Sequence, residues 1–468
     1  MELPQMPELV GLSLLVGLLA LVATAAVARG WLRAEKDKSS QPVRQKTNDV
    51  KKSGSKKQKQ NQRVRKEKPQ QHNFTHRLLA AALKSHSGNI TCMDFSSNGK
   101  YLATCADDRT VRIWSTKDFL QREHRSMRAN VELDHATLDS GSIPSTHMAV
   151  HNYNSQSQGS QCPLLASKGI RAFIVWLANG DTLRVFKMTK REDGGFTFTA
   201  TPEDFPKKHK APIINIGIAD TGKFIMTASS DTTVLIWDLK GQVLSTINTN
   251  QMNNTYAVIS PCSRFVGSCG FTPDVKVWEV CFGKKGEFQE VQRAFELKGH
   301  SASVHFFAFS NDSRRMASVS KDGTWKLWDT DVEYKKQQDP YLLRTGRFEE
   351  ASTMPCRLAL SPDTHVLALA TGTSIHLFNT RRGEKEECFE CVHGECIADL
   401  TFDITGRFLA SCGDRAVRLF HNTPGHRAVV EEMQGLLKRA SSESTRQRLQ
   451  QQLAQAQEAL KNLGALKK

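Results

Sequence analysis

The stretch GHSASVHFFAFSNDSRRMASVSKDGTWKLWD at residues 299–329 carries the pattern that decides the fold. Apolar and polar residues alternate in its first two segments, which is the two-residue period of half-buried β-strands. Polar turns separate these segments from each other and from a third segment that ends beside Trp328. The stretch therefore predicts three short strands joined by tight turns.

The same unit recurs along the chain. Clear copies are ADDRTVRIW, which ends at Trp114, and SSDTTVLIWD, which contains Trp237. Weaker copies end at Phe186, Trp278, Phe378 and Phe420. Seven copies at this spacing are typical of the four-stranded blades of a propeller with loops. The segment at 74–84 precedes the first copy, and we expect it to form the outer strand of the last blade and close the ring.

These units resemble the WD40 repeat, from about residue 74 to residue 421. The resemblance implies an all-β fold, a seven-bladed propeller over residues 73–421, in which a His, a hydroxyl residue, a turn Asp and a Trp form a hydrogen-bonded tetrad inside a blade. The positions that match are His86, Asp108 and Trp114; His209, Asp231 and Trp237; His300, Ser318, Asp322 and Trp328; and, without a Trp, His393 and Asp414. A His beside an Asp also fits catalysis, but its recurrence in several blades favours a structural network.

The resemblance also indicates a binding face. In WD40 proteins the residue just before the turn Asp lies on one face of the propeller, and here that residue is Asp107, Ser230 or Lys321, with Arg109 next to the first turn. These four residues are the candidate protein-binding face. The alternative is that they are ordinary solvated turn positions.

Residues 139–169, DSGSIPSTHMAVHNYNSQSQGSQCPLLASKG, depart from the repeat. They replace the strand and turn expected in blade two with a polar, Ser-rich insertion. Two explanations remain open: a tolerated disordered loop, or a splice or gene-model variant that leaves the blade short of a strand.

The N-terminus predicts a membrane anchor. Residues 9–28 carry no charge, and a helix of that length spans about 30 Å of hydrocarbon. A cleaved signal peptide is the alternative, because Ala26-Val27-Ala28 resembles a cleavage motif. Basic residues follow the apolar run, so we expect residues 1–8 to be lumenal and the propeller cytosolic in a single-pass protein. The short span favours the thinner membrane of the endoplasmic reticulum.

Residues 29–72 form a predicted disordered, polybasic tether. A solvated spacer is one interpretation; contact with RNA or with anionic lipid through residues 44–68 is another, and nuclear import is a third. The candidate contact residues are Lys51, Lys52, Lys56, Lys57, Lys59, Arg63, Arg65, Lys66 and Lys68.

Metal and cofactor sites are not predicted. Cys388, Cys391, His393 and Cys396 lie within CFECVHGEC and suggest zinc ligands, but His393 already belongs to a tetrad, and Cys388 and Cys391 would point to opposite faces of a strand. Phosphate-binding loops and hydrolase or metalloprotease motifs are absent from the sequence. We therefore expect no enzyme activity and no cofactor.

The tail at 426–468 changes to helical periodicity. Its apolar residues recur at alternating spacings of four and three, as in the seam of a coiled coil: Leu449, Leu453, Ala456, Leu460 and Leu463. One helix packed on the propeller is one interpretation, and a coiled-coil partner for residues 446–463 is the other.

The composition, 39% hydrophobic and 24% charged, is that of a globular protein, and it excludes collagen and wholly disordered chains. The features together predict a non-catalytic adaptor tethered to the endoplasmic reticulum, which recruits other proteins through its propeller, possible clients being signalling or stress proteins. An RNA-binding membrane protein that uses the tether to hold messenger RNA or ribosomes is the alternative.

Overall fold

The computed structural model describes residues 72–96, 98–108, 110–121, 124, 126–130, 147–152, 172–179, 182–190, 196–200, 204–348 and 356–463. These residues form seven four-stranded antiparallel sheets and two C-terminal helices. Between residues 147 and 200 only the backbone and the side chain of Leu183 are described. The packing of side chains between sheets is therefore described for six of the seven sheets. The sequence predicted seven packed blades.

The first four blades follow the chain. Blade 1 consists of β2 (Ile90–Phe95), β3 (Tyr101–Ala106), β4 (Thr110–Ser115) and β5 (Ser126–Asn130). Blade 2 consists of β6 (His147–Asn152), β7 (Ala172–Asn179), β8 (Thr182–Lys190) and β9 (Phe196–Ala200). Blade 3 consists of β10 (Ile213–Ile218), β11 (Ile225–Ser229), β12 (Thr233–Trp237) and β13 (Val243–Asn248). Blade 4 consists of β14 (Asn254–Ile259), β15 (Phe265–Gly270), β16 (Val275–Phe282) and β17 (Phe288–Leu297).

The remaining blades complete the ring. Blade 5 consists of β18 (Val304–Phe309), β19 (Arg315–Ser320), β20 (Thr324–Asp329) and β21 (Tyr341–Arg347). Blade 6 consists of β22 (Arg357–Leu360), β23 (Val366–Thr371), β24 (Ser374–Asn379) and β25 (Lys385–Phe389). Blade 7 consists of β26 (Asp399–Phe402), β27 (Phe408–Cys412), β28 (Ala416–His421) and β1 (Leu79–Lys84).

Strand β1 closes the ring, as the sequence predicted for residues 74–84. It pairs antiparallel with β28, so residues from the two ends of the propeller share one sheet. The backbone N–H of Met93 in blade 1 donates to Oδ2 of Asp399 in blade 7 at 3.1 Å. Arg357 of blade 6 donates from Nε to the carbonyl of Ala398 at 2.7 Å. Hydrogen bonds thus join three consecutive blades where the chain closes on itself.

Burial follows the position of each strand in its blade. The second strands β11, β15, β23 and β27 are buried at every residue, because neighbouring blades cover both faces of each sheet. The outermost strand β21, by contrast, is exposed at six of its seven residues. The hydrophobic core therefore lies between blades, where aliphatic and aromatic side chains of adjacent sheets interlock.

Turns between the first and second strands repeat one device. The hydroxyls of Ser96, Ser310 and Ser361 accept hydrogen bonds from the backbone five residues on, at distances of 3.0, 2.9 and 2.9 Å. A serine here satisfies an N–H at the start of the second strand and fixes the hairpin. The polar turns read from the sequence are thus built by side chains as well as by backbone.

Blade 2 has four backbone strands. Strand β6 lies inside the 139–169 stretch and pairs antiparallel with β7. The described backbone therefore contains an innermost strand in this blade, where the sequence suggested that one was lacking.

Two helices follow the propeller, where one was predicted. Helix α1 (Thr423–Leu437) begins directly after β28, and the side chain of its N-cap, Asn422, accepts from the N–H of Gly425 at 3.0 Å. Helix α2 (Glu443–Asn462) packs against α1 and buries Leu449, Ala456 and Leu460. The apolar seam assigned to a coiled coil is thus packed within the chain, so the helices form a hairpin.

The prediction of an N-terminal transmembrane helix, and of a single-pass protein of the endoplasmic reticulum membrane, is corrected. Within the ranges that the structure describes, no helix is both long enough and apolar enough to cross a membrane. The segments at 1–8, 9–28 and 29–71 lie outside those ranges.

Candidate protein-binding face

Blade 5 contains the fullest polar network. His300 contacts Oδ2 of Asp322 through Nδ1 at 3.0 Å and Oγ of Ser318 through Nε2 at 2.8 Å. The indole N–H of Trp328 donates to the same Ser318 oxygen at 3.0 Å. Thr324, which the sequence analysis did not single out, donates to Oδ1 of Asp322 at 2.6 Å. The four predicted tetrad residues are therefore in contact, and a second hydroxyl extends the network.

Blades 1 and 3 repeat the arrangement with threonine. In blade 1, His86 lies between Asp108 at 3.1 Å and Thr104 at 2.8 Å, and the Trp114 indole donates to Thr104 at 3.0 Å. In blade 3 the hydroxyl in this position belongs to Thr227, which contacts His209 at 2.7 Å and accepts from Trp237 at 2.8 Å. Asp231 of that blade accepts from the hydroxyl of Thr233 at 2.5 Å. The strand hydroxyls Thr104 and Thr227 were missed because threonine is common in any strand.

Blade 7 lacks the Trp and uses an arginine instead. Arg418 is 2% exposed, and its Nη1 lies 2.6 Å from Nδ1 of His393 and 2.9 Å from both carboxylate oxygens of Asp414. Nε2 of His393 contacts the hydroxyl of Ser411 at 2.8 Å. Nδ1 of His393 also lies 3.0 Å from Oδ1 of Asp414, so imidazole, carboxylate and guanidinium form one buried cluster in this blade.

Blade 4 replaces the histidine with an amide. Gln251 is fully buried, and its Oε1 accepts from the hydroxyl of Ser268 at 2.9 Å. Its Nε2 donates to the carbonyls of Ser268 and Asp274 at 3.1 and 3.2 Å. Asn254 continues the network to Ser229 of blade 3, whose carbonyl accepts at 2.9 Å. The same position in the fold thus holds either an imidazole or an amide.

The surroundings of these networks lower the pKa values of both Asp322 and the histidines His300 and His393. Burial alone raises the pKa of Asp322, but hydrogen bonds from Thr324, Ser301 and His300 outweigh it and hold the pKa at about 2. Burial lowers the pKa of His300 and of His393 in spite of their carboxylate neighbours. Near neutral pH the carboxylate is therefore ionised and both imidazoles are neutral, as in a satisfied structural network.

The Cys and His residues of CFECVHGEC, which the sequence analysis set aside as zinc ligands, lie in different surroundings. His393 is held in the blade 7 network, whereas Cys391 and Cys396 are exposed. Over the described parts of the chain, no group of three or more His, Cys, Asp or Glu side chains is arranged to hold a metal ion.

Three of the predicted face residues occupy equivalent positions. The backbone N–H groups of Asp107, Ser230 and Lys321 donate to the carbonyls of Asn89, Pro212 and Ser303, at 2.9, 3.1 and 3.0 Å. Each donor directly follows the second strand of its blade, and each acceptor precedes the first strand. These residues therefore lie at one end of the blades, which we call the turn face. Arg109 lies outside the described residues.

The turn face also exposes two large apolar side chains. Phe271 follows the second strand of blade 4 as Lys321 follows that of blade 5, and it is 60% exposed. Met252 lies in the neighbouring connection, is 76% exposed, and has a positive φ of 63°. Phe271 stands seven residues before Trp278, the same spacing that separates Lys321 from Trp328. That spacing could have identified it, but its blade lacks the Asp turn used as the guide.

The polybasic residues lie outside the described part of the chain, so their contacts stay predictions. They are Lys51, Lys52, Lys56, Lys57, Lys59, Arg63, Arg65, Lys66 and Lys68.

Comparison with known proteins identifies the same repeats. A profile of the WD40 family (WD domain, G-beta repeat) matches residues 77–115, 202–238, 291–329 and 386–421. Those segments contain the regularly spaced His and Asp of blades 1, 3, 5 and 7. The chain thus contains WD40 repeats, and the predicted resemblance is confirmed.

Two relatives match the chain over its full length and define its family more closely. Transducin beta-like protein 2 of Mus musculus is 89% identical over 468 residues, and that of Homo sapiens is 81% identical over 472 residues, each match covering 100% of both chains. A weaker similarity of 22% over 274 residues relates 56% of the chain to 20% of apoptotic protease-activating factor 1 of Rattus norvegicus. The chain belongs to the transducin beta-like protein 2 family.

Proposed function

We propose that the protein is a non-catalytic adaptor that binds other proteins through the turn face of its propeller. The observation that carries the proposal is the exposure of Met252 and Phe271 beside the predicted face residues Ser230 and Lys321. Blades 3, 4 and 5 are consecutive in the ring, so these four residues belong to neighbouring blades. Exposed apolar side chains with a polar rim are the usual anchors of protein interfaces.

The histidines and aspartates of the blades support a non-catalytic role. In blades 1, 5 and 7 the imidazole contacts a carboxylate and a hydroxyl of its own blade, and in blade 3 it contacts two hydroxyls. A general base must reach a proton on a substrate, whereas these nitrogens already have partners inside the blade. The polar groups that resemble catalytic dyads thus hold the blades together.

Two matched substitutions test the proposal. Phe271→Asp places a charge on the turn face, whereas Leu120→Asp places one at the opposite end of blade 1 on a side chain that is equally exposed, at 60%. We expect Phe271→Asp to weaken capture of the partners of the full-length protein by at least about tenfold, because the apolar side chain that a partner would bury on binding is lost. Leu120→Asp should leave capture unchanged.

Quantitative affinity capture from cells, with the urea midpoint of each variant as the folding control, separates the outcomes. Equal capture by wild type and Phe271→Asp, with both proteins folded, would contradict the proposed face.

The alternative function, RNA binding through residues 44–68, rests on sequence alone. Its test is crosslinking to RNA in cells with the full chain and with residues 44–68 deleted. Recovery of RNA that depends on this segment would support it, and unchanged recovery would exclude it.

A further inference from the structure

Blade 6 contains a cysteine, a histidine and a threonine in hydrogen-bonded series. His376 of β24 and Cys388 of β25 are direct partners across the strand pair. The Cys388 thiol lies 3.3 Å from Nδ1 of His376, and Nε2 of the same ring lies 3.2 Å from the hydroxyl of Thr371 at the end of β23. No blade network described above includes these three residues.

The tautomer of His376 decides the direction of proton transfer. When Nε2–H donates to the Thr371 oxygen, the lone pair of the ring lies on Nδ1 and accepts the thiol proton. Thr371 is buried, so its hydroxyl is held in place by the blade. Cys388 as a residue is partly exposed.

We propose that Cys388 is a reactive thiol, a modification site for soft electrophiles such as α,β-unsaturated carbonyl compounds, with His376 as its general base. The proton of the thiol passes to Nδ1 of His376, and the sulfur forms a C–S bond to the β-carbon of the electrophile. The carbon–carbon π electrons move to the α-carbon, which takes the proton back from the imidazolium. Nothing is oxidised or reduced in this addition, and no second reactant is required.

Neighbouring charges do not oppose a thiolate strongly. Glu386 and Glu387 precede Cys388 on β25, and each faces an arginine. Arg427 lies 3.7 Å from Glu386, and Arg77 lies 3.3 Å from Glu387. The two carboxylates are therefore partly neutralised, which reduces their repulsion of a thiolate at Cys388.

Cys281 is a natural comparison within the same protein. It is also partly exposed, and Nε2 of Gln292 donates to its sulfur at 3.3 Å. Burial raises the pKa of the Cys281 thiol, and the carboxylate of Glu279 raises it further. An amide cannot accept a proton as imidazole does, so Cys281 reports the reactivity of a similar thiol without a base.

The test is site-resolved alkylation of the folded, full-length protein with iodoacetamide near neutral pH, read by peptide mass spectrometry. Here iodide leaves as the C–S bond forms, and the thiol proton stays on His376 or passes to buffer. We expect Cys388 to react at least about tenfold faster than Cys281, and His376→Gln to remove that advantage. Thr371→Val, which keeps the bulk but removes the hydroxyl, should slow Cys388 by a smaller factor.

The other cysteines serve as controls in the same spectra. Cys356 and Cys412 are buried and must stay unmodified if a variant is folded, and the exposed Cys262 reports the intrinsic rate. Equal rates at Cys388 in the wild type and in folded His376→Gln would overturn the proposal. If His376→Gln exposes the buried thiols, folded Thr371→Val decides: an unchanged rate at Cys388 overturns the proposal. The result is independent of partner binding at the turn face.

Discussion

His300 and Gln251 fill the same place in neighbouring blades with different chemistry. His300 contacts a carboxylate and a hydroxyl, whereas Gln251 contacts a hydroxyl and two carbonyls. Both side chains satisfy buried polar groups, but only the imidazole can take up a proton in the physiological range. The blades with a buried histidine network therefore contain buried groups that can respond to moderate acid.

This difference predicts how stability depends on pH. Burial lowers the pKa of His300 in the folded protein, so the unfolded chain binds a proton first as the pH falls below about 6.5. The free energy of unfolding is therefore smaller at about pH 5.5 than at about pH 7.5. The low pKa of Asp322 affects stability only below about pH 4, outside this interval.

His300→Gln copies the chemistry of blade 4 into blade 5. We expect it to lower the free energy of unfolding at about pH 7.5 by about 1–2 kcal/mol, because glutamine loses part of the network. Urea denaturation at both pH values should show a smaller pH-dependent difference for the variant. The same pH-dependent difference in wild type and variant would show that His300 does not titrate as described.

The residues of the networks could be predicted in part from the sequence. The His and Asp stand 22 residues apart in blades 1, 3 and 5 and 21 residues apart in blade 7, so repetition and the WD40 resemblance together identified them. Gln251 and Arg418 could not be found in this way, because neither residue type belongs to the repeat pattern. Their roles follow from burial and hydrogen bonds, which depend on how neighbouring strands pack.

At the scale of a single blade, blade 7 depends on a buried charge. Arg418 bonds to Asp414, His393 and the carbonyl of His72, which precedes the first strand of the propeller. We expect Arg418→Met to lower the free energy of unfolding by about 3 kcal/mol, because it removes the buried guanidinium that donates to Asp414 and to the carbonyl of His72.

Lys326→Met is the matched control, since Lys326 stands four residues after Asp322 as Arg418 stands four after Asp414. Its ammonium donates only to the hydroxyl of Thr345, at 3.2 Å, among the contacts that the structure describes. We expect Lys326→Met to lower the free energy of unfolding by about 1 kcal/mol, as measured by urea denaturation. Equal costs for the two variants would contradict the special role of Arg418.

The helical hairpin is a second element whose packing can be tested. Helix α1 is held on blade 6 by polar contacts, among them Nε2 of His365 with Glu432 at 2.8 Å and the ion pair of Arg427 with Glu387 at 3.4 Å. Leu460→Ala should destabilise α2 by about 2–3 kcal/mol, because a buried leucine of the α1–α2 contact is truncated. Hydrogen exchange measures this locally, and the exposed Gln455→Ala should change little.

Because the seam of α2 is packed against α1, it is not available to a coiled-coil partner. Sedimentation of the wild type and of Leu460→Ala should give the same mass for both. A larger assembly that dissociates in Leu460→Ala would instead support the predicted coiled-coil contact of residues 446–463. The sequence indicated the apolar seam of α2 but not that α1 packs against it, because α1 does not contain an apolar seam of similar length.

Across the whole molecule, the sequence predicted a WD40 propeller and the strand that closes it, because each repeat is a local pattern. It did not predict the exposed apolar part of the turn face. Phe271 and Met252 become neighbours of Ser230 and Lys321 only through the order of the blades in the ring. Their exposure is a property of the assembled propeller and not of any one repeat.

The most direct measurement of the central claim is site-specific photocrosslinking from the turn face. A benzoylphenylalanine at position 271 of the full-length protein in cells should crosslink to a defined set of proteins on irradiation. The same group at position 120, equally exposed at the opposite end of blade 1, should not capture that set. Identical crosslinked proteins from both positions, or none from position 271, would contradict an adaptor that binds through the turn face.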